Sequence, residues 1–380
     1  MDTLIDIASI YDKPINFLIG SGASHGLLPT LALAMKDEFG ENYTIESLAH
    51  ELDETERNAL FFHYYTSCIR PAQIFDPSTY RIGATPERKV LDNYGIFLRT
   101  VLHILGKRSP RDPRCNIFTT NYDGLFQHAA ESIMREGRIE FVLNDGAVGF
   151  KRRIFQPRSY NSYASRTGIF ERSVSTIPQI NLIHLHGSVY WSKDADEVVV
   201  DYNAIPSDLG TEDLRTGLID FSNSLFDKDK NPADLALGKN LSEPLKAFMT
   251  QYDKLPIVNP RKWKFHETVF EEHYYHMLRM LSYELEKPNA VLVVFGFSFA
   301  DEHILSLVKR SLANTSLKVF VCCFNAKFAE EMSKKFAAFE NVEIVKDDTP
   351  IDFTRFNSHV FRIPESKMAV NAAPAEGTSQ

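Results

Sequence analysis

The sequence predicts an α/β protein built on a Rossmann-like, doubly wound parallel sheet. Three observations carry that prediction: short unbroken apolar runs recur along the chain, most end on a polar loop rich in Gly or Asn, and several precede a stretch with helical spacing of apolar residues. Runs of β-branched and aromatic residues without polar alternation suit strands covered on both faces, and the strand–loop–helix rhythm is that of parallel βαβ units. Sheets of this kind bind their ligands at the carboxyl ends of the strands.

The first run, Ile15–Ile19, opens into Gly20-Ser21-Gly22-Ala23-Ser24-His25-Gly26. A strand entering Gly-x-Gly lets backbone amides approach a pyrophosphate, and a helix starting there adds partial positive charge. The third glycine comes one residue late for the dinucleotide fingerprint, and no acidic residue stands at the ribose-binding distance. The same glycines equally suit a tight turn with positive φ. From about Ile45 to Lys107 apolar residues recur three and four apart, predicting a helical insertion.

The second run, Asn116–Thr120, leads into Asn121-Tyr122-Asp123-Gly124 and a helical pattern from Leu125. Asp123 is placed to cap that helix. Asn121 then stands at the strand end, where its amide can both donate to and accept from a ribose hydroxyl or a water. The third run, Leu182–His186, precedes Gly187-Ser188 and puts His184 and His186 on one face by strand alternation. His-x-His is a zinc-binding pattern, but a third ligand with suitable spacing is missing, so no metal is expected. A histidine before glycine at a strand end is well placed as a general base, which assigns that role to His186 and a supporting one to His184.

Residues from about Ser192 to Lys264 are polar and broken by Pro and Gly, a loop-rich insertion. A long helix follows near His266 to Glu286, with Val269, Phe270, Tyr274, Met277, Leu278, Leu281 and Leu285 forming an apolar stripe for the core. Val291–Phe295 runs into Gly296-Phe297-Ser298, and Leu317–Val321 into Cys322-Cys323-Phe324-Asn325. From Glu365 the residues are small and polar, a loose tail. The organisation is therefore one domain, 1–364, enlarged by insertions at about 45–107 and 192–264, with a tail at 365–380.

Composition narrows the function. The 380 residues carry 42 Lys plus Arg against 50 Asp plus Glu, a net charge of −8, which disfavours a surface built to grip nucleic acid. With 44% hydrophobic and 24% charged residues the chain is globular, not disordered. Cys68, Cys115, Cys322 and Cys323 include no Cys-x-x-Cys pair, which argues against a cysteine-built zinc. No basic leader and no membrane-length apolar run is present, so a cytoplasmic location is expected.

Taken in order, Gly20-Ser21-Gly22-Ala23-Ser24, Thr120-Asn121-Tyr122-Asp123, His186-Gly187, Gly296-Phe297-Ser298 and Phe324-Asn325 resemble the motif series of the sirtuin family, over about residues 15 to 345. The resemblance implies a Rossmann-like NAD domain with Asn121 and His186 catalytic, His186 being the base. It places Asn121 and Asp123 on the nicotinamide-ribose side and makes Gly20, Ser21, Gly22, Ala23, Ser24, Gly296, Ser298 and Asn325 cofactor-binding. Protein-deacylating sirtuins carry two Cys-x-x-Cys pairs, absent here, which argues against deacylation. The form Gly296-Phe-Ser298-Phe-Ala-Asp301-Glu-His-Ile304, the helical insertion, and Val258-Asn259-Pro260 before a long helix are similar to divergent sirtuin-like domains of bacterial antiphage defence. Those domains hydrolyse NAD to nicotinamide and ADP-ribose, many of them in abortive infection. The resemblance implies NAD+ as substrate, a homo-oligomer, and a HerA-type hexameric ATPase as partner, with no membrane or direct nucleic-acid contact. Two other readings are a non-catalytic NAD or ADP-ribose sensor, and a metal-dependent hydrolase or nuclease using His184 and His186.

Overall fold

Among the described residues seven strands form one sheet: β1 (Ile15–Ile19), β2 (Arg114–Thr119), β3 (Val142–Asn144), β4 (Gln179–His184), β5 (Val291–Phe295), β6 (Lys318–Cys322) and β7 (Val342–Val345). Their order is β7-β6-β5-β1-β2-β4-β3, and every neighbouring pair is parallel. The chain winds outward from β1 through β2 to the edge strand β3, steps back in to β4, then returns to β5 on the other side of β1 and continues to β6 and β7. The direction of winding thus reverses between β1 and β5, the crevice where open α/β sheets take ligands. The computed structural model describes residues 4–29, 32–37, 40, 42–80, 85–108, 112–167, 174–204, 209, 211–238, 240–258 and 269–363. The expected tail at 365–380, Asn259 and Pro260 of the Val-Asn-Pro motif, and the start of the long helix at His266 lie outside them.

The helices used below are α1 (Ile45–Glu51), α2 (Glu54–Tyr64), α3 (Pro86–Lys107), α4 (Leu125–Glu136), α5 (Ser242–Tyr252), α6 (Val269–Glu286), α7 (Glu302–Ser311) and α8 (Ala326–Lys335). The central strands are largely apolar because both faces of the sheet are covered there. Ile15, Phe17 and Ile19 of β1 join Val293 and Phe295 of β5 beneath α3, α4 and the segment 351–363. Leu18, Leu292 and Val294 point the other way, beneath α6, α7 and α8. Phe17 meets Phe97 of α3 edge-on at 4.9 Å and Phe361 at 5.3 Å, and such pairs add about 0.5–1.5 kcal/mol each beyond the area they bury. On α6, Tyr274, Met277, Leu278, Leu281 and Leu285 are buried, the described part of the apolar stripe.

Polar residues interrupt this interior in one row. Asn16, Asn116 and Asn181 stand in register on β1, β2 and β4. Asn116 Nδ2 donates to Asn16 Oδ1 and Asn181 Nδ2 to Asn116 Oδ1, both at 2.8 Å. Buried amides tolerate burial only when paired, so the row penalises any slip of strand register.

The stretches read as insertions resolve differently from expectation. Within 45–107, α3 lies on the sheet, whereas α1 and α2 do not. The stretch 192–264 holds more than loops: it carries the strand Glu197–Val200, the helices Thr211–Gly217 and Ile219–Ser224, and α5. These later helices pack with α1 and α2 around a separate core, in which Phe62 meets Phe248 at 5.1 Å and Phe61 stacks on Tyr252. The two segments, distant in sequence, form one helical cap. Among the described residues no helix is long and apolar enough to cross a membrane.

Candidate active site

The register of the central strands brings the expected motifs together. Ile19 pairs with Phe295 on one side and Thr119 on the other, and Thr119 pairs with His184. The loops beginning at Gly20, Thr120, Leu185 and Gly296 therefore leave the same sheet edge side by side. The loop holding Phe324 and Asn325 follows β6, one strand further out.

The glycines serve a different purpose from the one read in the sequence. Gly20 has φ of −109°, so it is not there for a left-handed turn. A Cβ on Gly20 would lie 2.4 Å from the Gly296 carbonyl oxygen, and one on Gly22 would lie 2.7 Å from Gly296 Cα. Gly296 itself takes φ of 64°, and its own Cβ would meet the Ala23 nitrogen at 2.7 Å. The loops after β1 and β5 thus interlock backbone to backbone across the crevice. The amides of Gly20, Gly22, Ala23 and Ser24 donate to Phe295, Gly296, Gly20 and Ser21 carbonyls respectively, so these four are engaged within the fold rather than turned toward a pyrophosphate. Nor does it open a helix: a 3-10 turn at Ser21–Ala23 leads through further turns to the hairpin strands Ala32–Lys36 and Asn42–Thr44.

Beyond the interlock lies a buried polar knot. Ser24 Oγ donates to Asp123 Oδ2 at 2.8 Å and accepts from Asn121 Nδ2 at 3.1 Å; Tyr94 OH of α3 lies 2.8 Å from the same oxygen. With the serine proton given to the carboxylate, Tyr94 donates as well, and the hydroxyl is saturated. Asp123 Oδ1 accepts from Leu125 N at 3.1 Å, but the N-cap of α4 is Gly124, so Asp123 stands one residue ahead of the capping position expected for it. Burial pushes the Asp123 carboxyl above the usual carboxylate range, opposed by the Leu125 and Ser24 bonds. Asn121 is 6% exposed, and its Oδ1 is buried with no hydrogen-bond partner. Its Nδ2 is held by Ser24, so the direction of this unpaired acceptor is fixed.

The two histidines part company. β4 ends at His184, strand alternation does not reach His186, and the two side chains have different partners. His184 Nδ1 donates to the Asn121 carbonyl at 2.9 Å, and its Nε2 accepts from Gln127 Nε2 at 2.9 Å. Behind Gln127 stand Tyr202, Asp145 and Arg153, linked in turn. Burial pushes His184 down to about 4, so it is neutral and anchors the Asn121 backbone. His186 instead places Nε2 2.9 Å from Asp301 Oδ2. Among the described residues no three His, Cys, Asp or Glu side chains converge as a metal site.

The loop after β5 is shaped by two buried rings. Phe297 and Phe299 meet at 5.0 Å, Phe299 also packs on Phe336 at the C-cap of α8, and Phe299 holds φ of 55°. A left-handed non-glycine residue costs about 1–2 kcal/mol, offset here by burial of the ring. Ser298 is left exposed, its Oγ accepting from Ala300 N at 3.3 Å. Asn325, expected to bind cofactor, is exposed too, and its Oδ1 caps α8 through Phe328 N at 2.9 Å, so that acceptor is committed to the helix. Sequence reasoning quoted Asp301 within a motif without giving it a role, and it passed over Tyr94 and Gln127, which carry no local signal. No protein-family model and no curated protein matches the sequence.

Proposed function

We propose that the chain is an NAD+ hydrolase of the sirtuin-like kind, cleaving the bond between nicotinamide and ribose to give nicotinamide and ADP-ribose. The observation that carries this reading is the unpaired, buried Asn121 Oδ1, on a side chain held by Ser24 and a backbone anchored by His184, just past the end of the strand beside the one from which the His186 loop leaves. A buried acceptor without a donor is costly unless a ligand supplies one, and a ribose hydroxyl or a water does so.

In the proposed reaction nicotinamide leaves as a neutral amine when its pyridinium charge collapses into the ring, so the leaving group needs no general acid. Positive charge passes to an oxocarbenium-like ribose. Asn121 orients the ribose or the attacking water through Oδ1, and His186 accepts a proton from a ribose hydroxyl or that water; a positioned base contributes about a hundred- to ten-thousand-fold. The reading rests on the ribose side of the site, since the amides of Gly20, Gly22, Ala23 and Ser24 are engaged within the fold. From the resemblance we take the setting: NAD+ depletion in bacterial antiphage defence, by a homo-oligomer paired with a HerA-type hexameric ATPase.

The test is chromatography of NAD+ incubated with the purified protein, with and without a candidate ATPase. Wild type should release nicotinamide, and His186→Ala and Asn121→Ala should release it more slowly by about a hundredfold or more. A wild type inactive even with its partner, or two fully active variants, refutes the assignment.

A further inference from the structure

We propose that Asp301 is the positioning residue of this site: its carboxylate holds His186 as the Nε2–H tautomer, so that Nδ1 is the nitrogen that takes the proton. The naming of His186 as base rests on the hydrolase reading above; the tautomer does not.

The geometry fixes the pair from both ends. His186 Nε2 lies 2.9 Å from Asp301 Oδ2, with the two side chains 16% and 18% exposed. The other carboxylate oxygen is committed, since Asp301 Oδ1 accepts from His303 N at 2.9 Å and Ile304 N at 3.0 Å as the cap of α7. The carboxylate plane is therefore set by the helix, and the loop before it is held by the buried Phe297 and Phe299. On the other side, the His186 carbonyl accepts from Val258 N at 2.9 Å, and Gly187 bridges to Ile257. Burial alone would raise the Asp301 carboxyl, but the His186 hydrogen bond and charge, with the Ile304 amide and the His303 charge, outweigh it and hold the group below its usual range. An ionised carboxylate only accepts, so the hydrogen between the two residues sits on Nε2.

Asp301→Asn separates this role from helix capping. Asn caps a helix as well as Asp does. With its Oδ1 kept by the α7 amides, the new Nδ2 takes the place of Oδ2 and donates to His186 Nε2, which forces the proton onto Nδ1. Long-range proton–nitrogen NMR spectra, with the His186 signals among the 12 histidines assigned through His186→Gln, should show Nε2–H in the wild type and Nδ1–H in Asp301→Asn. Nicotinamide release by Asp301→Asn should fall in kcat by about a hundred- to ten-thousand-fold, the cost of a misplaced tautomer, with KM little changed and the melting temperature kept. Asp301→Ala should lose the tautomer preference and lower the melting temperature as well. A wild-type Nδ1–H tautomer, or an Asp301→Asn variant with unchanged spectrum, overturns the assignment. If no condition gives nicotinamide release, the hydrolase reading falls while the spectra alone still decide the tautomer.

Discussion

His184 makes an acid-sensitivity prediction that can be worked through in numbers. Burial lowers its pKa from 6.5 to about 4, because the charged imidazolium loses its water, a cost that the Asn121 carbonyl and Asp145 only partly offset. The unfolded chain takes up this proton first as pH falls, so the stability that depends on a neutral His184 is complete above about pH 6.5 and is lost progressively toward pH 4. At pH 5 the ratio of the two protonation polynomials is about 30, a loss of about 2 kcal/mol, rising to about 3 kcal/mol below pH 4. Glutamine can donate to the Asn121 carbonyl without titrating. Urea midpoints for wild type and His184→Gln at about pH 7.5 and pH 5 should therefore differ, the wild type losing about 2 kcal/mol more than the variant over that interval. Carboxylates and the other buried histidine, His63, act alike in both proteins and cancel. Equal losses would refute the reasoning, since His184 would then not be held neutral by the fold.

Three further outcomes follow from the same site. Gly22→Ala forces a Cβ to 2.7 Å from Gly296 Cα, and parting the interlocked loops should cost about 1–3 kcal/mol, read as a lower melting temperature. Ser24→Ala strips a partner from Asp123, Tyr94 and Asn121 together and should destabilise the fold by about 1–3 kcal/mol or more in urea titration. Asn121→Ala removes a buried group that is only half paired, so the melting temperature should change little while nicotinamide release falls by about a hundredfold or more.

The central strands were legible because both their faces are buried: β1 and β5 begin and end where the apolar runs do, and β2, β4 and β6 differ by a few residues at their ends. β3 and β7 were not read. They are short edge strands, Val-Leu-Asn and Val-Glu-Ile-Val, whose half-exposed residues carry no continuous apolar signal. The motifs were read in the right order at the right strand ends, yet the reason for the glycines was misjudged, since no local pattern reveals that a loop 276 residues later, at Gly296, lies against Gly20. His-x-His misled because alternation holds only inside a strand, and β4 stops at the first histidine. Asp301 is 115 residues from His186, and only the assembled sheet brings them together.

The cap has a consequence for how the chain folds. Its core joins Leu48, Phe61 and Phe62 to Leu214, Phe248 and Tyr252, across strands and helices that belong to the sheet. Neither half can bury its apolar face alone, so the earlier half must wait, with those rings unburied, until the later half has been added. Closing so long a loop is slow, and exposed aromatic surface in the interval invites aggregation. Hydrogen exchange should find amides of α1, α2 and α5 opening together, as one unit separate from β1, β2 and β5. A break anywhere in either segment would then release both.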